Sequence, residues 1–463
     1  MRQFFARPAF ASTLALPFFL ASLSSAQLRV VQYNVTNYAG PNAARDAAFQ
    51  TALFGSFQGR SASPDIFVGE EFISASALTN FVNKMNQAPG SPGDYVAAPF
   101  IDGPDTDTVF IYRPSKVTLI GNPVVVAVGG GNPINPRNIM RYDVQIVGYS
   151  SLGASISIYG SHMKAGTSTN PSDEARRLYE AQKIRTNAET LSRPFMVCGD
   201  LNCRDSGDQG IAWLLASQTD NSGRLFDPIK TPGTWYSNSS MKFVHTQDPV
   251  IGQAGMDDRF DFILLSAALI DGDGLDYIGN PNIAYSTTTW NDPNHSYRCW
   301  GNDGTSYNQS IKITGNTMVG SAIAQSLTDD AGGQSGHLPV LLDMRVPPKI
   351  GAPPTLAFGS TKLFRPKTVM LTVSHDGDLA KWTSNGLAPL KFTMAASAGF
   401  SVVGTQQTIS PGSSLSFPVT MSAQSSGLKT GAITITTNDP DHPIKTVTLS
   451  GAVFGPELIS PAH

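Results

Sequence analysis

Phe195-Met196-Val197-Cys198-Gly199-Asp200-Leu201-Asn202 is the stretch on which the reading of this chain turns. Four apolar residues run as a strand straight into Gly-Asp-Leu-Asn. A run that is apolar on both faces belongs in a sheet covered on both sides. In α/β sheets, functional sites assemble where such strands end. The glycine permits a tight turn. Asp200 and Asn202, two positions apart, are expected to point the same way and together orient one water for attack.

Outward from that strand the pattern repeats. Apolar runs of strand length occur at Leu28–Tyr33, Asp65–Val68, Val109–Tyr112, Val124–Val128, Ile156–Tyr159, Phe260–Leu265 and Val340–Leu342. Helical patterns lie between them at Asn42–Phe54, Ser74–Asn86, Ser172–Leu191 and Gly207–Ser217. Ser172-Asp173-Glu174 supplies a cap and early acids for one of these. Strands alternating with helices predict a layered α/β or α+β architecture.

Polar residues stand at the ends of several of these strands. Asn34 closes Val30-Val31-Gln32-Tyr33. Glu70 and Glu71 follow Ile66-Phe67-Val68-Gly69; adjacent residues alternate sides, so only one faces a given site, and carboxylate oxygens suit Mg²⁺. His162 ends Ile156-Ser157-Ile158-Tyr159-Gly160-Ser161. Asp261 sits inside Phe260-Asp261-Phe262-Ile263, where a carboxylate is costly unless paired. His337, at the entrance to Leu338-Pro339-Val340, is a partner for it. Such a pair fixes the tautomer and favours the imidazolium. His245 lies in a polar loop before the Asp261 strand, facing either a cleft or solvent. Taken singly, each of these residues is ordinary.

As an ordered series they resemble the endonuclease/exonuclease/phosphatase superfamily, the DNase I-like fold. The matching pieces are Tyr33-Asn34-Val35, Pro64-Asp65-Ile66 with Glu71, Tyr112-Arg113, Ser161-His162, Gly199-Asp200-Leu201-Asn202, Arg259-Phe260-Asp261-Phe262 and His337-Leu338-Pro339-Val340. The resemblance implies an α/β (α+β) four-layer sandwich, two central mixed sheets flanked by helices. It implies hydrolysis of phosphate esters dependent on Mg²⁺ or Mn²⁺. Carried over, Glu71 binds the ion with Asn34 beside it, Asp200 orients or deprotonates the attacking water, and Asn202 helps hold the water or the phosphate. His337, paired with Asp261, stabilises phosphoryl charge. His162 is a proton donor or phosphate ligand, and Arg137 contacts phosphate. Two departures stand out. Glu70 replaces the usual Gln, adding negative charge near the metal. Gly336 replaces the Asp of Ser-Asp-His, for which Asp329 or Asp330 is a substitute from the preceding loop; without one, catalysis is impaired.

The rest of the chain sets the context. It has 463 residues, a net charge of −3 and 14% charged residues, against about 25% in an average soluble domain. That excludes bulk-charge binding of nucleic acid, coiled coils and charged disordered tails. Arg2 and Arg7, the apolar Phe10–Leu23 and the small Ser24-Ser25-Ala26 predict a secretory signal peptide over 1–26, cleaved near Ala26, and hence a secreted or periplasmic protein. No later run is long enough to span a membrane. Residues 27–346 form the predicted catalytic unit and 347–354, with four prolines, a stiff linker. Residues 355–456 alternate as short strands and resemble immunoglobulin-like modules related to the ASPM/SPD-2/Hydin group, a spacer or adhesion unit contacting a cell surface or matrix. Cys198 is expected to be a buried thiol, whereas Cys203 and Cys299 are left open to pairing. The aromatics of the loop from 285 to 311, Trp290 and Trp300 among them, either pack the loop or contact substrate. Three functions compete: a secreted, monomeric endonuclease on DNA or RNA; a sphingomyelinase-like enzyme or other esterase of lipid or small phosphates; and a non-catalytic binding protein that keeps the fold.

Overall fold

A computed structural model describes residues 27–131, 134–170, 172–250 and 255–455. The predicted signal segment lies outside them. Among the described residues no helix is long and apolar enough to cross a membrane.

Two seven-stranded mixed sheets form the larger part. In the first, Leu28–Tyr38 pairs in parallel with Ile66–Phe72 and antiparallel with Val340–Arg345. In the second, Ser155–Gly160 pairs in parallel with Phe195–Asp200, which pairs antiparallel with Asp261–Ser266. Val30, Val68 and Phe110 of one sheet meet Ile158, Met196, Cys198 and Ile263 of the other in a shared core. Both inner faces are apolar, so the sheets can exclude water only against each other. The outer face of the first sheet is covered by helices Ala43–Phe54, Ala75–Gln87 and Gly320–Asp329, through Phe49, Leu53, Phe81 and Ile323. Asp173–Ala188 and Gln209–Leu215 cover the second through Ala181, Ile184, Ile211 and Leu214. The result is four layers, helix–sheet–sheet–helix.

The helices start where side-chain caps allow: Asn42, Ser74, Ser172 and Asp208 each accept a bond from a first-turn amide. Helix Gly320–Asp329, not anticipated from the sequence, follows a residue with no side-chain cap. Strand Ile139–Ile146 was likewise unanticipated; it alternates buried and half-buried residues, IMRYDVQI, instead of running apolar.

Residues Ile350 to Phe454 form a four-stranded and a five-stranded sheet. Leu371, Val373 and Phe417 of one face Leu390, Ile433 and Leu449 of the other across a common core. The proline-rich stretch is not a free spacer. Ile350–Gly351 pairs with Lys367–His375, and Val346 exchanges backbone hydrogen bonds with Gly386 and Ala388. Trp382 and Leu387 enter the inter-sheet core of the larger part. The Asp271–Asp276 turn, with amides of Gly272 and Asp273 capped by Asp276 and Asp271, meets Asn438 and Lys391 of the smaller part.

All three cysteines are free and buried. Cys203 lies in the outer core and Cys299 in the inter-sheet core, so they do not pair.

Candidate active site

The topology explains why scattered residues meet. The parallel pairs end at one edge of the sandwich, and their antiparallel neighbours begin there. C-terminal strand ends therefore deliver Asn34, Glu71, His162 and Asp200, while N-terminal ends deliver Asp261 and His337. Asp261 and Asp200 are register partners.

Asn34 is central and fully buried. Its Nδ2 donates to Glu71 Oε1 at 2.9 Å and to Asp200 Oδ2 at 3.2 Å, and lies 3.5 Å from His337 Nε2. Its Oδ1 accepts from the Thr36 amide at 3.0 Å. Asn34 thus presents its amide nitrogen to the two acids and its oxygen to backbone. Glu71 sits on a bulge between the first two strands, with φ +64. That left-handed conformation is unfavourable for Glu and directs its carboxylate to the mouth.

His162 Nε2 is 3.4 Å from Asp200 Oδ2, and its buried Nδ1 makes no hydrogen bond, the Glu71 oxygen being 3.8 Å away. Burial, reinforced by Arg137 and His337, holds the His162 pKa well below the usual histidine value, so the ring is neutral. His337 differs. Its Nδ1 lies 2.8 Å from Asp261 Oδ2 and its Nε2 3.7 Å from Asp200 Oδ2. Burial disfavours the cation, but Asp261, then Asp200 and Glu71, outweigh it and push the ring up to about 10. Asp200 is pushed up to about 7, by burial first, with His337 opposing and Asp261 and Glu71 adding.

Two further residues, not expected from the sequence, support the cluster. Gln32 Nε2 donates to both Glu70 Oε2 (2.8 Å) and Asp261 Oδ1 (2.9 Å), and Thr246 Oγ1 donates to Asp261 Oδ2 at 2.6 Å. Gln32 is polar in an apolar strand and shares a face with Asn34, which was the available signal. Thr246 gave none.

Several expectations need correction. Glu70 does not add charge at the mouth. It is fully buried against Gln32, and burial, with Asp261 and Asp200 adding, raises its pKa well above the carboxylate range. Burial thus favours its neutral form, the counterpart of a glutamine. Gly199 lies within its strand, not in a turn; a Cβ there would come 1.9 Å from the Ser161 carbonyl oxygen. Gly336 has φ +74, and a Cβ would come 2.6 Å from Ala331 Cβ, so this backbone has no room for the missing aspartate. Neither acid replaces it, and neither lies in a loop that reaches the site: Asp330, at the end of helix Gly320–Asp329, accepts from Tyr33 Oη at 2.5 Å on the helix-covered side, and Asp329, its last residue, accepts from Gln325. His245 is neither in a cleft nor at the surface; it is buried between the Trp235 and Met256 carbonyls.

Asn202 and Arg137 sit at the margin. Asn202 has φ +53 and donates from Nδ2 to the Met163 carbonyl at 3.2 Å, and its backbone amide bonds Asp200 Oδ1 at 3.1 Å. It braces the strand exits instead of sharing one face with Asp200. Arg137 is near enough to influence His162, yet its guanidinium engages Thr106 Oγ1 at 3.0 Å and Asp105 at 3.3 Å. Trp300 and Tyr297 are buried packing residues.

Asp200, Asp261 and His337 have ligand atoms within 4.8 Å of one another, a set that could hold a metal ion. Asp261, however, already accepts from His337, Thr246 and Gln32, and an imidazolium is no ligand. The better donors are the carboxylate oxygens of Glu71 and Asp200 converging on one amide, beside an unbonded His162 nitrogen. Hard oxygen donors of this kind fit Mg²⁺ or Mn²⁺.

No family model and no curated protein matches the sequence. Among solved structures, the chain is similar to D. rerio TDP2 complexed with single strand DNA product, at 14% identity, 69% of this chain, 99% of that chain and TM-score 0.40. It is similar to an endonuclease/exonuclease/phosphatase family protein from Bacteroides thetaiotaomicron, at 16% identity, 69% and 94% coverage and TM-score 0.37. A third, an endonuclease/exonuclease/phosphatase from Beutenbergia cavernae, aligns over 92% of this chain and 99% of its own at 13% identity and TM-score 0.36.

Proposed function

We propose that the chain is an exported, divalent-metal-dependent phosphoesterase that cleaves phosphodiesters with water, an endonuclease on DNA or RNA. The observation that supports this best is the convergence of Asn34, Glu71, His162, Asp200 and His337 at one mouth, with His337 held cationic by buried Asp261.

Phosphodiester hydrolysis needs an aligned water, neutralisation of phosphoryl charge and help for the leaving oxygen. Asp200, with a pKa near neutrality, accepts the proton of the attacking water. His337 donates from Nε2 to a non-bridging oxygen, and Asp261 keeps that proton in place. Neutral His162, 3.4 Å from Asp200, hydrogen-bonds the leaving oxygen across from it, and the water proton taken up by Asp200 is returned to that oxygen as it departs. Asn34 fixes the mutual spacing of the Glu71 and Asp200 carboxylates. The Glu71 carboxylate would hold the ion, with Asn34 fixing its place through Nδ2 and not as a ligand, and the ion supplies Lewis-acid neutralisation when bound.

The test uses the full chain with plasmid DNA, RNA and sphingomyelin, each with and without Mg²⁺ or Mn²⁺. Expected is metal-dependent cleavage of DNA or RNA that Asp200→Asn lowers by about 10²–10⁴-fold. Release of phosphocholine without nucleic-acid cleavage would move the substrate to lipid. No turnover of any ester would sink the enzymatic reading.

A further inference from the structure

At the opposite end of the first sheet lies a cavity of about 620 Å³, within the roughly 300–1,000 Å³ of small-molecule sites. Arg29 lines it and precedes Asn34 by five residues on the same strand, which at about 3.3 Å per residue is roughly 17 Å. Asp65, just before the strand that carries Glu71, and Asp343, well past His337, line it too. The cavity is therefore separate from the candidate active site.

Four guanidiniums and two carboxylates face it. Two of the arginines are neutralised: Arg29 grips Asp343 at 2.7 and 2.9 Å, and Arg113 meets Asp65 at 3.0 Å. Arg60 and Arg298 are not, for among the described residues neither has a carboxylate within ion-pair distance. Arg60 bonds only neutral oxygens, through Nε to Met318 and Nη2 to Gln58 and Thr317. Arg298 bonds the carbonyls of His295, Tyr297 and Asp292. Burial and then the charge of Arg298 lower the pKa of Arg60, so the two cations feel each other. Half-buried like charges without a counter-ion are unfavourable, and an anion between them removes the cost. Beside them the Trp290 ring centroid is 5.1 Å from Arg60 Cζ, and Trp300 forms the neighbouring wall. Flat indole surface next to a cation pair suits a ring that carries a phosphate.

We propose that this cavity binds an organic phosphate of mononucleotide size, its phosphate between Arg60 and Arg298 and its aromatic ring against Trp290. The inference does not depend on the catalytic reading, since no residue of the candidate active site takes part.

Calorimetric titration of the full chain without divalent ions tests it, with adenosine 5′-monophosphate, adenosine and inorganic phosphate as probes. Expected is nucleotide binding retained in Asp200→Asn and weakened tenfold or more in Arg60→Gln and Arg298→Gln. A second variant guards against misfolding. Gly59 lines the cavity at φ +75, and a Cβ there meets nothing within 4 Å, a backbone that Asn and Asp tolerate. Gly59→Asp places a carboxylate at the cavity without removing a contact and weakens binding tenfold, whereas Gly59→Asn leaves it intact. The proposal is overturned by no binding to the unsubstituted chain, by equal affinity for adenosine or inorganic phosphate, by loss in Asp200→Asn, or by indifference to Gly59→Asp.

Discussion

Glu70 and Glu71 are neighbours with opposite fates, and the difference is their direction. One points into the inter-sheet core, where burial favours its neutral form; the other is turned by the bulge to the mouth. Alternation along a strand means that only one of the two acids can face the site. It could not tell that the other would become neutral, since that depends on the second sheet closing over it. The same holds for Gln32 and Thr246, which matter only because Asp261 arrives from another sheet. Asp261 itself was legible: a carboxylate in an apolar strand demands a partner, and His337 is that partner. Replacing it tests the pair. In Asp261→Asn the His337 pKa falls from about 10 toward its ordinary value of about 6.5. Cleavage at pH 8, where about one ring in thirty is then protonated, is expected to drop by about 30-fold and to recover in part toward pH 6. A pH–rate profile checks this, and a uniform loss at all pH values would contradict it.

Elements were read well where a single period dominated. Strands buried on both faces announced themselves as apolar runs, and capped helices by their Asn, Ser or Asp starts. Strand Ile139–Ile146 was missed because its outer face is only half covered, and helix Gly320–Asp329 because nothing in the chain marks its start. Among the described residues between Leu225–Phe226 and Asp261–Ser266 there is little regular structure, and His245 pins this stretch. Burial lowers the pKa of that ring to about 4, the carbonyls of Trp235 and Met256 opposing only in part. The unfolded chain takes up a proton below pH ~6.5 that the folded chain refuses. The His245 contribution is therefore intact above pH ~6.5 and is lost as pH falls toward 4, by about 3 kcal/mol in all. Urea unfolding at pH 7.5, 5.5 and 4.5 is expected to show this loss, and His245→Gln to remove that share of it; equal pH dependence in the variant would refute the assignment.

At the scale of the whole molecule, the sequence suggested two units on a stiff spacer. The proline-rich stretch is legible as extended chain, but its pairing is not, because the partners lie 25 residues on for Ile350 with His375 and 42 for Val346 with Ala388. The structure joins the units through Trp382, which is 1% exposed in the inter-sheet core. Lys116 Nζ lies 4.3 Å from its ring centroid and donates to the Lys381 carbonyl at 2.8 Å. Trp382→Ala should cost about 3–5 kcal/mol and split one calorimetric unfolding transition into two; a single unshifted transition would contradict the docking. One consequence follows from the way two sheets share the mouth. Asn34, Glu71 and His337 ride on one, His162, Asp200 and Asp261 on the other, so the reacting groups are the jaws of a caliper whose gap is set by the thickness of the filling between them. An interior methionine such as Met196, far from any reactant, thereby becomes a vernier: thinning or fattening it moves every jaw-to-jaw distance at once, and a misfit of about 1 Å can cost a hundredfold in rate.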